Sequence, residues 1–248
     1  MLDLDGVVWL SDRPIPGSPE AVRRLREHGE RVVVVTNNSS LTVAQYLDKL
    51  QRLGVPTAAE DLITSAQVAA GLVAGGSRAL VVGGDGIHEA LRQRGVEVVD
   101  GADAAPETVV VGWTRAFDYA VLTAAMRAVR AGARLLGTNH DPTYPTPDGL
   151  LPGGGTLTTA IAYASGVAAE FAGKPNQATV DAARERFGDI AIMVGDQPST
   201  DGVLARRLGA TWALVLTGVT RKSDLPVEPE PDIVSDSLAE LVASHLDA

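Results

Sequence analysis

The sequence predicts an α/β protein built on a doubly wound parallel sheet. Short apolar runs alternate with segments of helical periodicity along the whole chain, the pattern of parallel strands joined by helical crossovers. Two of the runs, at 31–35 and 190–194, are almost continuously apolar, which is typical of strands buried on both faces. The alternation restarts after Gly75-Gly76-Ser77, a candidate hinge, so we expect two α/β blocks.

The first block alternates from its start. Val22 and Leu25 lie at helical spacing between Pro16 and Gly29, and Gly54 follows the end of a second helical segment. Its predicted elements are a helix at 16–29, a strand at 31–35, a helix at 41–53, a strand at 62–65 and a helix at 66–74.

The second block carries its own buried strands, so we expect it to have its own core. Its predicted strands are at 79–82, 96–99, 108–111 and 135–137, and its predicted helices at 86–94, 119–131 and 158–165. Residues 141–155 are rich in Pro, Gly and Thr and lack periodicity. This pattern predicts either a long ordered loop of the kind that often carries function, or a flexible surface loop.

The last part of the chain returns to the first pattern. Pro175 is placed to begin a helix. The predicted elements are helices at 179–187 and 238–246, a helix that follows Asp201 and runs through Arg207, and strands at 190–194, 212–216 and 231–234. The acidic, proline-rich residues 226–231 are expected to form a surface loop.

Composition excludes several classes of protein. The chain has no cysteine, which excludes disulfides, thiolate zinc sites and cysteine nucleophiles. Its net charge of -10 argues against nucleic-acid binding, and an anionic substrate would need a local positive group or a metal ion. No apolar run reaches the length of a membrane span and the start lacks a signal-peptide pattern, so we expect a cytoplasmic protein without membrane contact.

The clearest chemical motif is at the start of the chain. Asp3 and Asp5 end an apolar run two residues apart, so on a strand they would share one face near its carboxyl end. Gly6 allows the chain to turn away there. Two adjacent carboxylates repel each other unless a proton or a cation lies between them, and Mg²⁺ is the natural occupant. Alone, the motif also fits a plain strand end with an Asx turn.

Polar residues also follow two other predicted strands. The residues at the three strand ends are Asp3 and Asp5, Thr36 and Asn37, and Asp196. In a parallel sheet these ends meet at one edge, where open α/β sheets bind ligands. Structural alternatives exist for each: a capping turn at Thr36, a plain strand exit at Asp196, and a surface position for Lys174, which precedes the last of these strands. Their joint occurrence favours a functional site.

In this order the motifs resemble those of the haloacid dehalogenase superfamily. The matching segments are Asp3-Leu4-Asp5-Gly6, Val35-Thr36-Asn37-Asn38, Gly173-Lys174-Pro175, and Gly195-Asp196 with Thr200-Asp201. The sequence is most similar to subfamily IIA, which contains NagD-like and p-nitrophenyl-phosphatase-like enzymes, including glycerol-phosphate and phosphoglycolate phosphatases. That similarity rests on Thr36-Asn37-Asn38-Ser39, Asn139 with Asp141-Pro142, Gly149 to Gly153, and Leu216 to Thr220, and Asp236-Ser237-Leu238 also fits it. It covers essentially the whole chain.

The resemblance implies a Rossmann-like core with an inserted α/β cap domain of the C2 type. Residues 1–75 and 168–248 would form the core and residues 76–167 the cap, where the second block lies. Caps of this family supply specificity contacts, so Asn139, Asp141 and the loop at 143–155 are candidates for facing the leaving group. Family members are often dimeric through their caps, which makes a homodimer an expectation, although the sequence identifies no interface.

The resemblance also implies a phosphatase that acts on a small phosphorylated metabolite. Asp3 is the expected nucleophile, and Asp5 the expected acid that protonates the leaving alkoxide and then activates water. Thr36, the amide of Asn37 and Lys174 are expected to hold the transferring phosphoryl oxygens.

A magnesium site completes the implied chemistry. Mg²⁺ is expected to bind Asp3, the backbone carbonyl of Asp5, and Asp196, while Asp201 orients a metal-bound water or Lys174. The alternative is a non-catalytic phosphate-binding or regulatory protein, which would be expected to lack one of these aspartates. Phosphoryl transfer by a mutase is a third reading, but mutases of the superfamily generally carry a different cap, inserted earlier.

Two questions stay open at this point. The ester could be glycerol phosphate, phosphoglycolate, a nucleoside monophosphate or pyridoxal phosphate. Family members also usually carry several residues before the first aspartate, whereas here Asp3 is the third residue. We therefore expect either an upstream start or, for this sequence as it stands, weakened stability, and the intact mass of the native protein would distinguish them.

Overall fold

The structure is a computed structural model that describes residues 1–146 and 149–247. In chain order the elements are β1 (Trp9–Leu10), β2 (Arg13–Pro14), α1 (Ser18–Glu27), β3 (Val34–Thr36), α2 (Val43–Arg52), β4 (Leu62–Thr64), α3 (Ser65–Gly71), β5 (Arg78–Val82), α4 (Asp85–Gln93), β6 (Glu97–Val99), β7 (Thr108–Val111), α5 (Tyr119–Arg130), β8 (Arg134–Gly137), β9 (Thr143–Thr146), β10 (Gly149–Pro152), α6 (Gly154–Ser165), β11 (Glu170–Phe171), α7 (Gln177–Phe187), β12 (Ile192–Gly195), α8 (Val203–Leu208), β13 (Thr211–Val215), β14 (Ile233–Ser235) and α9 (Leu238–Leu246).

The chain divides into two compact units. The first unit comprises Met1–Thr36, Ala44–Ile63 and Val180–Ala248, and the second comprises Asn37–Val43 and Thr64–Thr179. Each unit has a parallel sheet and its own helices, which confirms the predicted α/β class. The division into a core at 1–75 and 168–248 and a cap at 76–167 stays a prediction.

The first residues of the chain lie in the middle of the first unit's sheet. Leu2 forms parallel bridges to Val34 of β3 on one side and to Val194 of β12 on the other. β13 and β14 continue the sheet in parallel beyond β12, and β4 lies beside β3. The residues that follow Leu2, β3 and β12 therefore lie at one edge of the sheet, as the sequence predicted.

The valine run at 32–35 shows why this sheet forms here. All four side chains are buried, and β-branched residues fit a pleated surface covered on both faces. The strand that they form is shifted toward its carboxyl end relative to the prediction, since β3 begins at Val34 and includes Thr36.

The second unit contains a five-stranded parallel sheet in the order β11-β8-β7-β5-β6. Its core lies between this sheet and the helices α5 and α6, where Val109, Val111, Leu135 and Ile161 pack together with at most 1% of each residue exposed. The side chain of Asp118 caps α5 by accepting a hydrogen bond from the amide of Val121.

The prediction of an irregular loop at 141–155 was wrong. β9 and β10 form an antiparallel hairpin there, with Thr143 opposite Pro152, and α6 begins at Gly154 rather than at residue 158. Proline is tolerated in such a hairpin because, within the part of the chain that the structure describes, each strand has one neighbour, so an absent N–H need not break a ladder. Pro147 and Asp148, which the predicted loop included, lie outside the described residues.

Other differences are short elements. The sequence did not predict the hairpin of β1 and β2 or the two-residue strand β11, which are too short to show periodicity. Residues 198–202 form a π-helical turn before α8. Among the described residues, no helix combines the length and the apolar character that crossing a membrane requires.

A cavity of about 290 Å³ lies at the amino ends of the first unit's strands. Its lining includes Val32, Ile190 and Leu238. This is the end of the sheet opposite to the aspartates that follow Leu2 and β12, so the cavity is not the site that the motifs describe.

Truncation of Ile161 tests the packing of the second unit. We expect Ile161→Ala to lower the free energy of unfolding by about 2–5 kcal/mol, because a fully buried side chain is removed from a packed core. The matched control is Tyr163→Ala on the same helix, which is 90% exposed and should change stability by less than about 0.5 kcal/mol. Urea unfolding followed by circular dichroism measures both, and equal midpoints for the two variants would contradict the packing.

His88 of α4 allows a pH test of the same unit. Its Nδ1 is buried with no hydrogen-bond partner among the described residues. Burial lowers the pKa of His88 from 6.5, and Arg92 lowers it further against the opposing effects of Asp85 and Asp100. Since the folded pKa is depressed, the stability that neutral His88 contributes is present above the unfolded pKa and is lost as the pH falls through the folded value. An NMR titration should place its midpoint below 6.5, and a midpoint at or above 6.5 would contradict this environment.

Candidate active site

Asp3 and Asp5 follow the central strand of the first unit. Asp3 is buried, with 7% of the residue exposed, and Asp5 is half-buried. One carboxylate oxygen of Asp5, Oδ1, accepts a hydrogen bond from the indole nitrogen of Trp9 at 3.0 Å. Gly6 has φ of +86°, and a Cβ at this position would overlap the carboxylate of Asp196. Glycine is therefore required here both for the turn and for the close approach of Asp196.

Asp196 follows β12 and is held by the loop after β13. Its Oδ2 accepts a hydrogen bond from the amide of Val219 at 2.6 Å. The preceding Gly218 lies so close that a Cβ there would overlap the same oxygen. The hydroxyl of Thr217 donates to the carbonyl of Gly6 at 2.6 Å, so this loop is tied both to Asp196 and to the turn after Asp5.

Asp201 lies on the π-helical turn and is fully buried. Its Oδ2 accepts hydrogen bonds from the amides of Asp196 at 3.2 Å and Gln197 at 3.1 Å. These bonds fix the backbone from which the side chain of Asp196 projects. Gly195 is again the residue that allows this approach, because a Cβ there would overlap the side chain of Asp201.

Three buried carboxylates thus come together. One carboxylate oxygen from each of Asp3, Asp196 and Asp201 lies within 4.8 Å of the others. Like charges this close and this buried repel strongly unless a cation or a proton compensates them. Hard oxygen donors in such a group are the ligands that Mg²⁺ prefers, so the donor set fits a divalent cation of this kind. The predicted ligands Asp3 and Asp196 belong to the group, and so does Asp201, which the sequence predicted as a supporting residue.

Thr36 ends β3 at the same edge of the first unit's sheet. It is buried, with 2% of the residue exposed, and its neighbour Asn37 begins the first segment of the second unit. Strand pairing between Leu2 and Val34 sets the position of Thr36 relative to Asp3.

The remaining predicted site residues, Asn37, Lys174, Asn139 and Asp141, lie together in the second unit. The side-chain amide of Asn37 donates to the carboxylate of Asp141 at 3.1 Å and to the carbonyl of Lys174 at 3.1 Å. Lys174 is 2% exposed, which excludes the reading of a surface lysine. The structure therefore brings the predicted phosphate-binding residues of this unit into contact with the predicted cap residues.

The backbone carbonyl of Asn37 is held from two sides. Asn139 donates its side-chain amide to this carbonyl at 2.8 Å, and Ser65 donates its hydroxyl at 2.6 Å. The oxygen of the Asn139 side chain in turn accepts from the amide of Asp141 at 3.1 Å. Asn139 and Ser65 are both buried, so the peptide that follows Asn37 is fixed by groups shielded from water.

Sequence reasoning missed two residues of this arrangement. Trp9 and Ser65 contact Asp5 and Asn37 through single hydrogen bonds that depend on how a turn and a helix start are placed. No spacing in the sequence signals them. The loop at 217–219 was found only through its resemblance to the family, without a role, since its contact with Asp196 is made by a backbone amide.

Substitution of Gly218 tests the packing around Asp196. We expect Gly218→Ala to weaken Mg²⁺ binding by about 10–100-fold, because the new methyl group would displace the Asp196 carboxylate. The Mg²⁺-induced rise in melting temperature measures this without reference to activity. Gly71→Ala is the control, since nothing lies within 4 Å of a Cβ there. Equal Mg²⁺ responses of wild type and Gly218→Ala would contradict the geometry.

Family models and relatives in sequence identify the family of this chain. Residues 1–97 match the model of haloacid dehalogenase-like hydrolases, and residues 171–241 match a HAD-hydrolase-like model. The 5'-nucleotidase YutF of Bacillus subtilis is 34% identical over 249 residues, which cover 98% of this chain and 96% of that protein.

Solved structures of similar proteins have the same fold as this chain. The p-nitrophenyl phosphatase from Archaeoglobus fulgidus has a TM-score of 0.90 at 31% identity, with 98% of this chain and 97% of that chain covered. The glycerol phosphate phosphatase from Mycobacterium tuberculosis in complex with magnesium has a TM-score of 0.89 at 34% identity, with 97% and 75% covered. The chain is thus an enzyme that hydrolyses phosphoric monoesters. It belongs to the haloacid dehalogenase-like hydrolases, in their NagD-like subfamily IIA.

Proposed function

We propose that this enzyme is a Mg²⁺-dependent phosphatase that hydrolyses the phosphate monoester of a small metabolite through an aspartyl phosphate on Asp3. The observation that carries the proposal is the group of three buried carboxylates, Asp3, Asp196 and Asp201, with Asp5 two residues from Asp3. The named relatives act on small phosphate esters: a 5'-nucleotidase, a p-nitrophenyl phosphatase and a glycerol phosphate phosphatase.

In the first step, a carboxylate oxygen of Asp3 attacks phosphorus in line with the leaving oxygen. The bond between phosphorus and the leaving oxygen breaks, and Asp5 gives its proton to the departing alkoxide. The phosphoryl group is then bound to Asp3, and Asp5 is left as a carboxylate.

In the second step, Asp5 takes a proton from a water molecule as that water attacks phosphorus. The bond between phosphorus and the oxygen of Asp3 breaks, which releases inorganic phosphate and restores both aspartates to their starting states. The same side chain thus acts first as acid and then as base, which requires that it stay in one place through both steps.

The metal ion would be held by Asp3, the backbone carbonyl of Asp5, and Asp196. Positive charge from bound Mg²⁺ would lower the repulsion between the Asp3 carboxylate and the phosphate dianion. Asp201 is placed to support Asp196, because one of its carboxylate oxygens accepts hydrogen bonds from the backbone amides of Asp196 and Gln197.

Thr36, the amide of Asn37 and Lys174 are proposed to bind the phosphoryl oxygens, whose charge is spread at the transition state. The support is the burial of Thr36 and Lys174. Ser65 and Asn139 also bond the carbonyl of Asn37 and so restrain the residue that carries this amide from its carboxyl side. Groups that are already held in place before the substrate arrives can stabilise this charge without reorganisation.

Residues 76–167 are proposed to form the cap that selects the leaving group, with Asn139 and Asp141 as its selecting residues. Both are tied to Asn37, Asn139 through the backbone carbonyl and Asp141 through the side-chain amide. We therefore propose that substitutions at Asn139 and Asp141 change phosphate binding together with substrate choice.

Phosphate release from a panel of small esters tests the proposal, with Mg²⁺ and with EDTA. We expect turnover with Mg²⁺ only, and a loss in Asp3→Asn on the order of a thousandfold or more, because the nucleophile is removed. Asp103→Asn, an exposed aspartate of the second unit, is the control and should retain activity.

The panel contains glycerol phosphate, phosphoglycolate, nucleoside monophosphates, pyridoxal phosphate and p-nitrophenyl phosphate. The ester with the highest kcat/KM identifies the substrate class. Equal activity in EDTA, or full activity of a folded Asp3→Asn protein, would overturn the mechanism.

A further inference from the structure

Trp9 contacts the side chain that the mechanism uses twice. Its indole nitrogen donates a hydrogen bond to Oδ1 of Asp5 at 3.0 Å, and only 1% of Trp9 is exposed. A buried indole N–H needs an acceptor, and in this structure the acceptor is a carboxylate of the candidate site.

The backbone holds Trp9 and Asp5 in a fixed relation. The amide of Trp9 donates to the carbonyl of Leu4 at 3.1 Å, and its carbonyl accepts from the amide of Gly6 at 2.7 Å. Both partners are the immediate neighbours of Asp5, and Asp5 itself forms a bridge with Trp9. The turn that follows Asp5 therefore closes on the residue that holds its side chain.

The ring of Trp9 is also anchored from its face. Nζ of Lys49, on α2, lies 4.3 Å from the centroid of the ring, within the range of a cation–π contact. The same ammonium group donates to the carbonyl of Ser11 at 2.6 Å and lies 3.3 Å from the carboxylate of Asp12. Lys49 thus holds both the tryptophan and the tip of the hairpin formed by β1 and β2.

The chemistry of this donor favours one of the two oxygens of Asp5 as the carrier of the proton. An indole N–H only donates and does not titrate, so Oδ1 of Asp5 remains an acceptor whether or not Asp5 is protonated. The carbonyl oxygen of a carboxylic acid is a better acceptor than its hydroxyl oxygen, so this hydrogen bond favours the protonated acid that has its proton on Oδ2. The hydrogen bond therefore orients the acid as well as restraining its rotamer.

We propose that Trp9 is a positioning residue that holds Asp5 in the orientation in which Oδ2 delivers its proton to the leaving oxygen. The proposal rests on the proposed function, because it assumes that Asp5 is the general acid. If this positioning is lost, kcat/KM should fall more for a substrate whose leaving group must be protonated than for one whose leaving group need not be.

The test compares two substrates in Trp9→Phe, which keeps an aromatic ring and removes the donor. An alkoxide such as that of glycerol phosphate needs protonation as it leaves, whereas p-nitrophenolate does not. The quantity compared is kcat/KM, which reports on the steps up to departure of the leaving group. We expect a fall of about tenfold on glycerol phosphate and of less than about twofold on p-nitrophenyl phosphate.

Trp212→Phe is the matched control. Trp212 is also fully buried in the first unit, and its indole nitrogen has no hydrogen-bond partner among the described residues. Its variant should reduce kcat/KM on both substrates by the same factor, if at all. A purely structural role of Trp9 would give that same uniform result, and a uniform loss in Trp9→Phe would therefore overturn the proposal.

Asp5→Asn separates failure of this proposal from failure of the proposed function. If kcat/KM falls selectively on glycerol phosphate in Asp5→Asn but not in Trp9→Phe, the positioning role of Trp9 is overturned and the acid role of Asp5 is retained. Equal loss on both substrates in Asp5→Asn would overturn the role of Asp5 as acid, and with it the positioning role. If Trp9→Phe does not fold, Lys49→Met releases the ring and should shift the substrate ratio in the same direction, and an unchanged ratio would again overturn the proposal.

Discussion

Mutual repulsion among buried carboxylates is the constraint on which the site depends. Asp3, Asp196 and Asp201 lie within one small volume at the edge of the first unit's sheet. An unpaired buried charge costs several kcal/mol, so the protein must provide donors for each carboxylate that a cation does not neutralise. Backbone amides provide them: Val219 for Asp196, and Asp196 and Gln197 for Asp201.

Glycine makes these contacts sterically feasible. A Cβ at Gly6 or Gly218 would overlap the carboxylate of Asp196, and a Cβ at Gly195 would overlap Asp201. The backbone therefore approaches the acidic groups more closely than any other residue would allow. Those glycines lie at the ends of strands or just after them. The parallel alignment of the strands therefore also determines how closely the carboxylates pack.

Much of the fold could be predicted from the sequence because burial leaves a strong periodic signal. The buried valines before Thr36 and the helical spacing of α9 identify their elements, and the bounds of α9 agree with the prediction of 238–246. The hairpin of β9 and β10 could not be predicted, since its two strands form a separate sheet among the described residues, and prolines and glycines are typical of loops.

The candidate site also has one part that the sequence predicts and another that it does not. Asp3, Asp196 and Asp201 could be placed together from the sequence because each follows a predicted strand or its turn, and parallel strand ends meet. The hydrogen bonds from Trp9, Ser65 and the amide of Val219 could not, because they depend on a few ångströms of backbone position that no residue pattern encodes. Each such contact depends on a single pair of residues and leaves no pattern in the sequence. Burial of apolar residues, in contrast, recurs at every turn of a helix and produces a periodic pattern.

The nature of the donor to Asp5 follows from the two roles proposed for that residue. A cationic donor would favour the carboxylate over the acid and so oppose protonation, whereas a neutral indole orients the group with a smaller bias toward either form. The nearby cation, Lys49, is directed at the face of Trp9 and at the carbonyl of Ser11. Lys49 thereby holds the indole in place by its contact with the face of the ring. The hydrogen bond to Asp5 is made by the uncharged N–H at the edge of the ring. A side chain that must give up a proton in one step and take one in the next is best held by a group that carries no charge and cannot exchange a proton with it.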